Sequence, residues 1–169
     1  SLHVARKPDA PHPRGGGLAI AFHSCLKITP HPLVTTLPEF TSFELQLVKV
    51  TSAAPSFTVA NVYRPPSSSL SDFLDELDIF ISIMTPICGE RLVICGDVNA
   101  PGSDSSSINA DLADVFAAHG LVQHVRDPTR ENNILDVFVT GPQTSPSRVR
   151  VDGAGCVSDH RLVIASLPT

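Results

Sequence analysis

A mixed α/β sandwich, rather than a doubly wound sheet, is the fold this sequence predicts, on three observations. Leu92-Val-Ile-Cys95 is an apolar run bounded by Arg91 and Gly96, the pattern of a strand buried on both faces. Residues 43–50 and 56–63 both alternate in polarity around Ala53-Ala-Pro-Ser56, the pattern of a β-hairpin. Residues 67–84 and 108–116 carry apolar side chains three and four apart, the period of an amphipathic helix. Hairpins with only two helices among them call for packed layers around one core, not a regular β-α-β repeat.

The bulk numbers agree with a single folded domain. The chain has 169 residues, 42% of them hydrophobic and 17% charged, which excludes a disordered chain. A formal net charge of −5 argues against attachment to nucleic acid by bulk charge, though not against a local phosphate site. Excess carboxylate also suits a metal site. Cys25, Cys88, Cys95 and Cys156 are scattered and form no C-x-x-C pair, so neither zinc ligation nor a disulfide scaffold is expected, and the reducing interior of a cell is the expected setting. No apolar run approaches the roughly 20 residues of a membrane helix, and no signal peptide is evident. The chain starts at Ser1 without an initiator Met, and is expected to be a fragment of something longer.

Along the chain, residues 1–16 are rich in Pro, His and Arg and are expected to form an irregular lead-in ending at Gly15-Gly-Gly17. That glycine run lacks the helix and the Lys-Ser/Thr of a phosphate loop, so a flexible turn is the better assignment. Gly17 to Phe22 is a strand. Phe43, Leu45 and Leu47 alternate with Glu44 and Gln46 in the next, and Phe57, Val59, Asn61 and Tyr63 share a face of its partner. Arg64-Pro-Pro66 ends the hairpin abruptly, leaving Tyr63 at a strand terminus, either as an amphipathic edge residue or with its hydroxyl free to reach a site.

The first helix, from Ser67 to Met84, buries Leu70, Phe73, Leu74, Leu77, Phe80, Ile81 and Met84. Its Asp72, Asp75, Glu76 and Asp78 form a solvated face, with Ser69 and Asp72 as a capping box and Pro86 and Gly89 as the stop. Past the central strand, Gly96 breaks the run, Asp97 and Asn99 follow two residues apart, and Pro101-Gly102 turns the chain away. Asp97 either caps that turn or joins Asn99 in holding a water, a metal or a phosphate at the strand's carboxyl end, where ligands collect in α/β proteins. The second helix is expected to run from Ile108 and close at His119-Gly120, with His119 serving the helix end; Val122 to Val125 is ambiguous. Asp127 to Asn133 is a polar loop. Ile134 to Thr140 is a strand whose Leu135, Val137 and Val139 share a face, leaving Asp136 on the other. A carboxylate in so apolar a strand is expensive unless paired, and its natural partner is a histidine. Ser147–Val151 and Leu162–Leu167 complete the strands, with Gly153-Ala-Gly155 and Ser158-Asp159-His160 between them.

Three apolar strands therefore carry or abut polar residues that a core alone does not require: Asp97 with Asn99, Asp136, and Ser158-Asp159-His160. If these meet at one edge of the sandwich, Asp159 can ligate a hard cation such as Mg²⁺. Asp97 can hold and deprotonate a water whose direction Asn99 sets, and His160, oriented by Asp136, can present an N–H to a phosphate oxygen.

Gly-Asp-Val-Asn at 96–99, Leu-Asp at 135–136 and Ser-Asp-His at 158–160 resemble the endonuclease/exonuclease/phosphatase superfamily. The similarity is greatest to the apurinic-endonuclease-like domain of non-LTR (LINE-type) retrotransposons, whose text Arg14 to Ile20, Val62 to Pro66 and Asp127 to Arg130 also resemble. The resemblance spans nearly the whole chain, in order. It implies a four-layered α/β sandwich of two mixed sheets flanked by helices, which nicks DNA with Mg²⁺ (Mn²⁺ in its place) so that the freed 3′ hydroxyl primes reverse transcription. It further implies a reverse transcriptase domain in the same polyprotein and work in the nucleus after a cytoplasmic ribonucleoprotein stage. By motif match, Asp97 and Asn99 correspond to the water-activating and phosphate-positioning pair, Tyr63 to a phosphate contact, Asp136 and His160 to the Asp–His dyad, and Asp159 to a metal-side carboxylate. The family pattern begins with an Asn-bearing strand and a strand ending in a metal-binding Glu; neither is present, and Glu39 and Glu44 come too late. Residues 1–169 are thus expected to be one domain lacking its first strands, binding Mg²⁺ weakly and cutting DNA poorly or not at all. The rival expectations are a catalytically decayed remnant that only binds, and a phosphoesterase acting on small phosphoesters.

Overall fold

The computed structural model describes residues 2–4, 17–51, 56–154 and 158–167. Its centre is a mixed six-stranded sheet in the order β3-β4-β5-β6-β8-β7, formed by Lys27–Pro30, Glu44–Thr51, Phe57–Tyr63, Leu92–Asp97, Asp136–Thr140 and Val122–Gln123 for β3, β4, β5, β6, β8 and β7 respectively. Two antiparallel pairs stand beside it: β1 (Leu2–Val4) with β2 (Leu18–Ile20), and β9 (Arg148–Ala154) with β10 (Arg161–Ser166). With helices α1 (Leu70–Cys88) and α2 (Ala110–Ala118), this is an α+β sandwich of the predicted kind.

Burial follows the period of each element. On β5, Thr58, Ala60 and Val62 are buried while Phe57, Val59, Asn61 and Tyr63 are only partly so. Ala60 is level with Ile94, and Ile94 with Val139, so one sheet face is continuously apolar. Phe73, Leu77, Phe80, Ile81 and Met84 of α1 and Leu112 and Phe116 of α2 join that core. The central strand runs parallel to β5 and antiparallel to β8, so both neighbours deliver chain ends to the same rim.

Several boundaries differ from expectation. Leu2–Val4 is a strand paired with β2, not part of an irregular lead-in. β3 carries no alternation signal and ends in Pro30; the structure tolerates this proline because β3 is the edge of its sheet. The first helix continues through Pro86 to Cys88, since a proline in the last turn forfeits one backbone bond only. Gly89, at φ 55°, then ends it with its N–H on the Thr85 carbonyl. Ile108 lies before α2, in a bridge to Pro101, and Asn109 caps the helix by accepting from the Leu112 N–H. The acidic face of α1 is also not simply solvated. Glu76 accepts from the backbone N–H and hydroxyl groups of Thr41 and Ser42, and Asp78 meets His119 at 2.7 Å. The proposed turn at Ala53-Ala-Pro, and Arg14, Gly15, Gly16, Gly155 and Cys156, lie outside the described residues.

Candidate active site

The rim where β5 and β6 end and β8 begins carries the polar residues. Strand register sets Tyr63 opposite Asp97 and Asp97 opposite Asp136, with Glu44 of β4 opposite Tyr63. Residues facing one another across a ladder share a sheet face, so one row crosses four strands at one level. Gly96 makes the approach possible. It sits at φ 131°, and a Cβ there would lie 2.0 Å from the Val62 carbonyl oxygen.

His160 closes the row from the β9–β10 side. Its Nδ1 lies 2.8 Å from Asp136 Oδ2, and its Nε2 is 3.9 Å from Asp97 Oδ2. All three side chains are partly buried, and their candidate ligand atoms lie within 4.8 Å of one another. The His160 backbone N–H is held by the Ser158 hydroxyl, and the neighbouring Arg161 N–H donates to the Thr129 carbonyl at 2.6 Å. Thr129, fully buried, also accepts on its hydroxyl from the N–H groups of Leu135 and Asp136. One threonine thus ties the start of β8 to the start of β10, bringing Asp136 and His160 together.

The exit of β6 is equally constrained. Asn99 lies at φ 46°, in the left-handed region that asparagine tolerates better than most residues. Its backbone N–H donates to Asp97 Oδ1 at 3.1 Å, and its side-chain amide donates to the Arg64 carbonyl at 2.9 Å. One Asp97 oxygen is therefore held by its own turn while the other faces His160. Burial pushes the Asp97 carboxyl above the ordinary aspartate value, and the charge of Asp136 adds to this; the Asn99 N–H and His160 partly oppose both.

Asp97, Asp136 and His160 have the spacing of a dyad facing a second carboxylate: an imidazole oriented from one side, its other nitrogen aimed at a shared pocket. The family model described as endonuclease-reverse transcriptase matches residues 57–164, well over half of the chain and all three of these residues. The chain belongs to the endonuclease–reverse transcriptase family. Within the endonuclease/exonuclease/phosphatase fold, it is similar to the endonuclease domain of TRAS1, a telomere-specific non-LTR retrotransposon. That match has 19% identity and a TM-score of 0.67, covering 88% of this chain and 71% of that one. It is also similar to D. rerio TDP2 complexed with single strand DNA product, at 14% identity and a TM-score of 0.52, covering 85% and 67%. A third likeness is to the Bacteroides thetaiotaomicron mannosyl-6-phosphatase Bt3783, at 10% identity and a TM-score of 0.53, covering 75% and 57%. At these identities the likeness is one of fold. No curated protein matches the chain.

Of the residues singled out in the sequence of this endonuclease–reverse transcriptase family member, the structure brings Asp97, Asp136 and His160 together and sets Tyr63 and Asn99 beside Asp97. Asp159 is not one of the three. Its carboxylate is ion-paired with Arg130 at 2.7 Å and both side chains are well exposed. Two residues that shape the site have no role assigned from the sequence. Thr129 stood inside a polar loop, where only its place before a strand marked it, and Arg64 stood before two prolines with no sign that it would be buried.

Proposed function

We propose that this chain is the endonuclease of a retrotransposon-type protein, hydrolysing a DNA phosphodiester with Mg²⁺ and leaving a 3′ hydroxyl from which a linked reverse transcriptase extends. The observation that carries this proposal is the convergence of Asp97, Asp136 and His160 on one pocket in a chain of the endonuclease–reverse transcriptase family. Hydrolase chemistry follows from that family; the DNA substrate and the priming role are the further step.

Asp97 Oδ2, on a carboxylate whose proton affinity is raised, is placed to take a proton from an attacking water. Asn99 fixes the Asp97 rotamer through the Oδ1 contact. His160, held at Nδ1 by Asp136, directs Nε2 toward the same pocket, where in the doubly protonated ring its N–H can stabilise charge growing on a phosphate oxygen. Tyr63, level with Asp97 at the end of β5, is positioned to contact a neighbouring phosphate oxygen.

The donor set fits a hard cation. Two partly buried carboxylates face one another, and the rise in the Asp97 proton affinity, caused first by burial and then by the Asp136 charge, is relieved by either a proton or a cation. Asp136 from the sheet and, on exchanging Arg130 for the ion, Asp159 would hold Mg²⁺ or Mn²⁺, while Asp97 keeps Oδ2 for the water. Exposed ion pairs are weak enough for such an exchange. When bound, the cation supplies charge neutralisation at the phosphate oxygens.

The test is conversion of supercoiled plasmid to the open circle under excess protein, with Mg²⁺ and with EDTA. Nicking that needs Mg²⁺ and disappears in Asp97→Ala and His160→Ala supports the proposal. The net charge of −5 favours one rival, a small phosphoester substrate. Hydrolysis of p-nitrophenyl phosphate with the plasmid left intact would establish that rival instead. A rise in melting temperature with Mn²⁺ but no cutting of either substrate would leave a binding remnant.

A further inference from the structure

Arg64 is the one arginine among the described residues that is buried, with 6% of its surface exposed. Among the described residues its guanidinium makes no hydrogen bond to a carboxylate. Nη1 donates to the carbonyls of Asn99 at 3.1 Å and Val98 at 3.4 Å, and Nη2 to the Ser68 carbonyl at 3.1 Å. The group lies 5.8 Å from the centre of the Phe73 ring, and Nε is buried with no partner. A guanidinium is costly to bury on such terms, and an aliphatic side chain would fill the space without the cost. Its contacts show what it does: two of the three carbonyls belong to the turn that leaves β6.

We infer that Arg64 is a positioning residue, whose guanidinium clamps the Val98 and Asn99 carbonyls and so holds the β6 exit turn in the shape that presents Asp97 and Asn99 to the pocket. The clasp is reciprocal. The Arg64 N–H donates to the Asp97 carbonyl at 2.9 Å, and the Arg64 carbonyl accepts from the Asn99 side chain. Asn99 is left-handed, a conformation that asparagine tolerates better than most residues but that still carries a cost its surroundings must offset. Without the clamp, Asn99 returns to negative φ, its peptide N–H swings off Asp97 Oδ1, and the Asp97 carboxylate is free to rotate away from His160. Among the described residues the guanidinium hydrogen bonds all go to backbone carbonyls, and Asp97 is felt only as a charge, so Arg64 acts through these residues and not on substrate. Its effect on hydrolysis rests on the function proposed above; its effect on Asn99 does not.

The experiment compares Arg64→Met and Arg64→Lys with Phe116→Leu, a core change on α2 far from the turn in sequence. Two quantities are read: the Asn99 ¹³Cα and ¹³Cβ shifts, which report left-handed backbone, and kcat and KM for Mg²⁺-dependent nicking. In Arg64→Met the left-handed signature is lost and kcat drops by about tenfold or more with KM within about twofold, because alignment rather than binding is lost. Arg64→Lys, which keeps the charge but cannot bracket carbonyls on both sides, falls between. Phe116→Leu melts earlier yet keeps both signature and kcat. Retention of the Asn99 signature in Arg64→Met overturns the inference, as does an equal loss of kcat in Phe116→Leu. If Arg64→Met does not fold, Arg64→Lys decides: wild-type shifts and wild-type kcat together overturn it. A wild-type chain that nicks nothing defeats the nuclease proposal while leaving the Asn99 shifts to decide this one.

Discussion

Asp136 Oδ2 and His160 Nδ1 are 2.8 Å apart, a contact made across 24 residues of chain. It sets the Nδ1 hydrogen against Asp136 and points Nε2 at Asp97. Asp136→Asn is expected to fold normally, because the Thr129 hydroxyl holds residue 136 through its backbone N–H. Its nicking rate should fall by about 100-fold or more through loss of imidazole orientation. Plasmid nicking beside a thermal melt checks this; full rate in Asp136→Asn would remove the dyad from the mechanism.

The same aspartate acts on Asp97. Burial raises the Asp97 pKa first and the Asp136 charge second. Removing that charge in Asp136→Asn should move the Asp97 titration downward, measured by carboxyl ¹³C shifts in metal-free protein. The linkage sign follows. With the folded pKa above the unfolded one, the protonated form stabilises the fold below the unfolded pKa, and that stability is lost as pH rises through the folded pKa. Asp136→Asn should shrink this loss. A titration that does not move would show that the two carboxylates do not sense each other.

Glu76 behaves in the opposite sense. Burial raises its proton affinity, but the hydroxyl and backbone N–H groups of Ser42 and Thr41 together outweigh it and hold the carboxyl below its usual 4.5. Its contribution to stability is therefore complete above the unfolded pKa and disappears as pH falls through the lower, folded one. Glu76→Gln should cost about 1–3 kcal/mol near neutral pH, the scale of hydrogen bonds to a charged group, and the cost should vanish in acid. Urea denaturation of both proteins at neutral and acidic pH tests it; an equal gap at the two pH values would contradict the assignment.

Gly96→Ala should be among the most damaging single substitutions. The added methyl meets backbone at 2.0 Å, from a residue at φ 131° that side chains rarely adopt. Neither strand can yield, since β5 and β6 pair along their length. A loss of at least about 3 kcal/mol is expected from strain and overpacking together, seen as failure to fold or a strongly lowered denaturation midpoint. A near-wild-type midpoint would mean that the β5–β6 spacing is looser than the structure shows.

Much of the fold was legible in the sequence because burial imposes a period. The 43–50 and 56–63 alternation, the apolar run at 92–95 and the spacing within 70–84 each record which side of an element meets the core. The strands without that record were not legible. Pro30 closes an edge strand whose outer side needs no partner, and Leu2–Val4 gains its identity from β2, 14 residues further on at the nearest. Pro86 misplaced the end of α1 because a proline excludes helix only where its missing N–H matters.

The sequence by itself determined the layered α/β class and picked out Asp97, Asn99, Asp136 and His160 as polar groups that a core would not otherwise accept. Only the tertiary structure decided that Tyr63, Asp97 and Asp136 stand level, that Asp159 is paired with Arg130, and that Arg64 lies buried beneath the turn carrying Asn99. Periodicity is a property of neighbours along the chain. Register, salt-bridge choice and the burial of one long cation depend on how strands far apart in sequence come to lie side by side, and no local pattern encodes that sum.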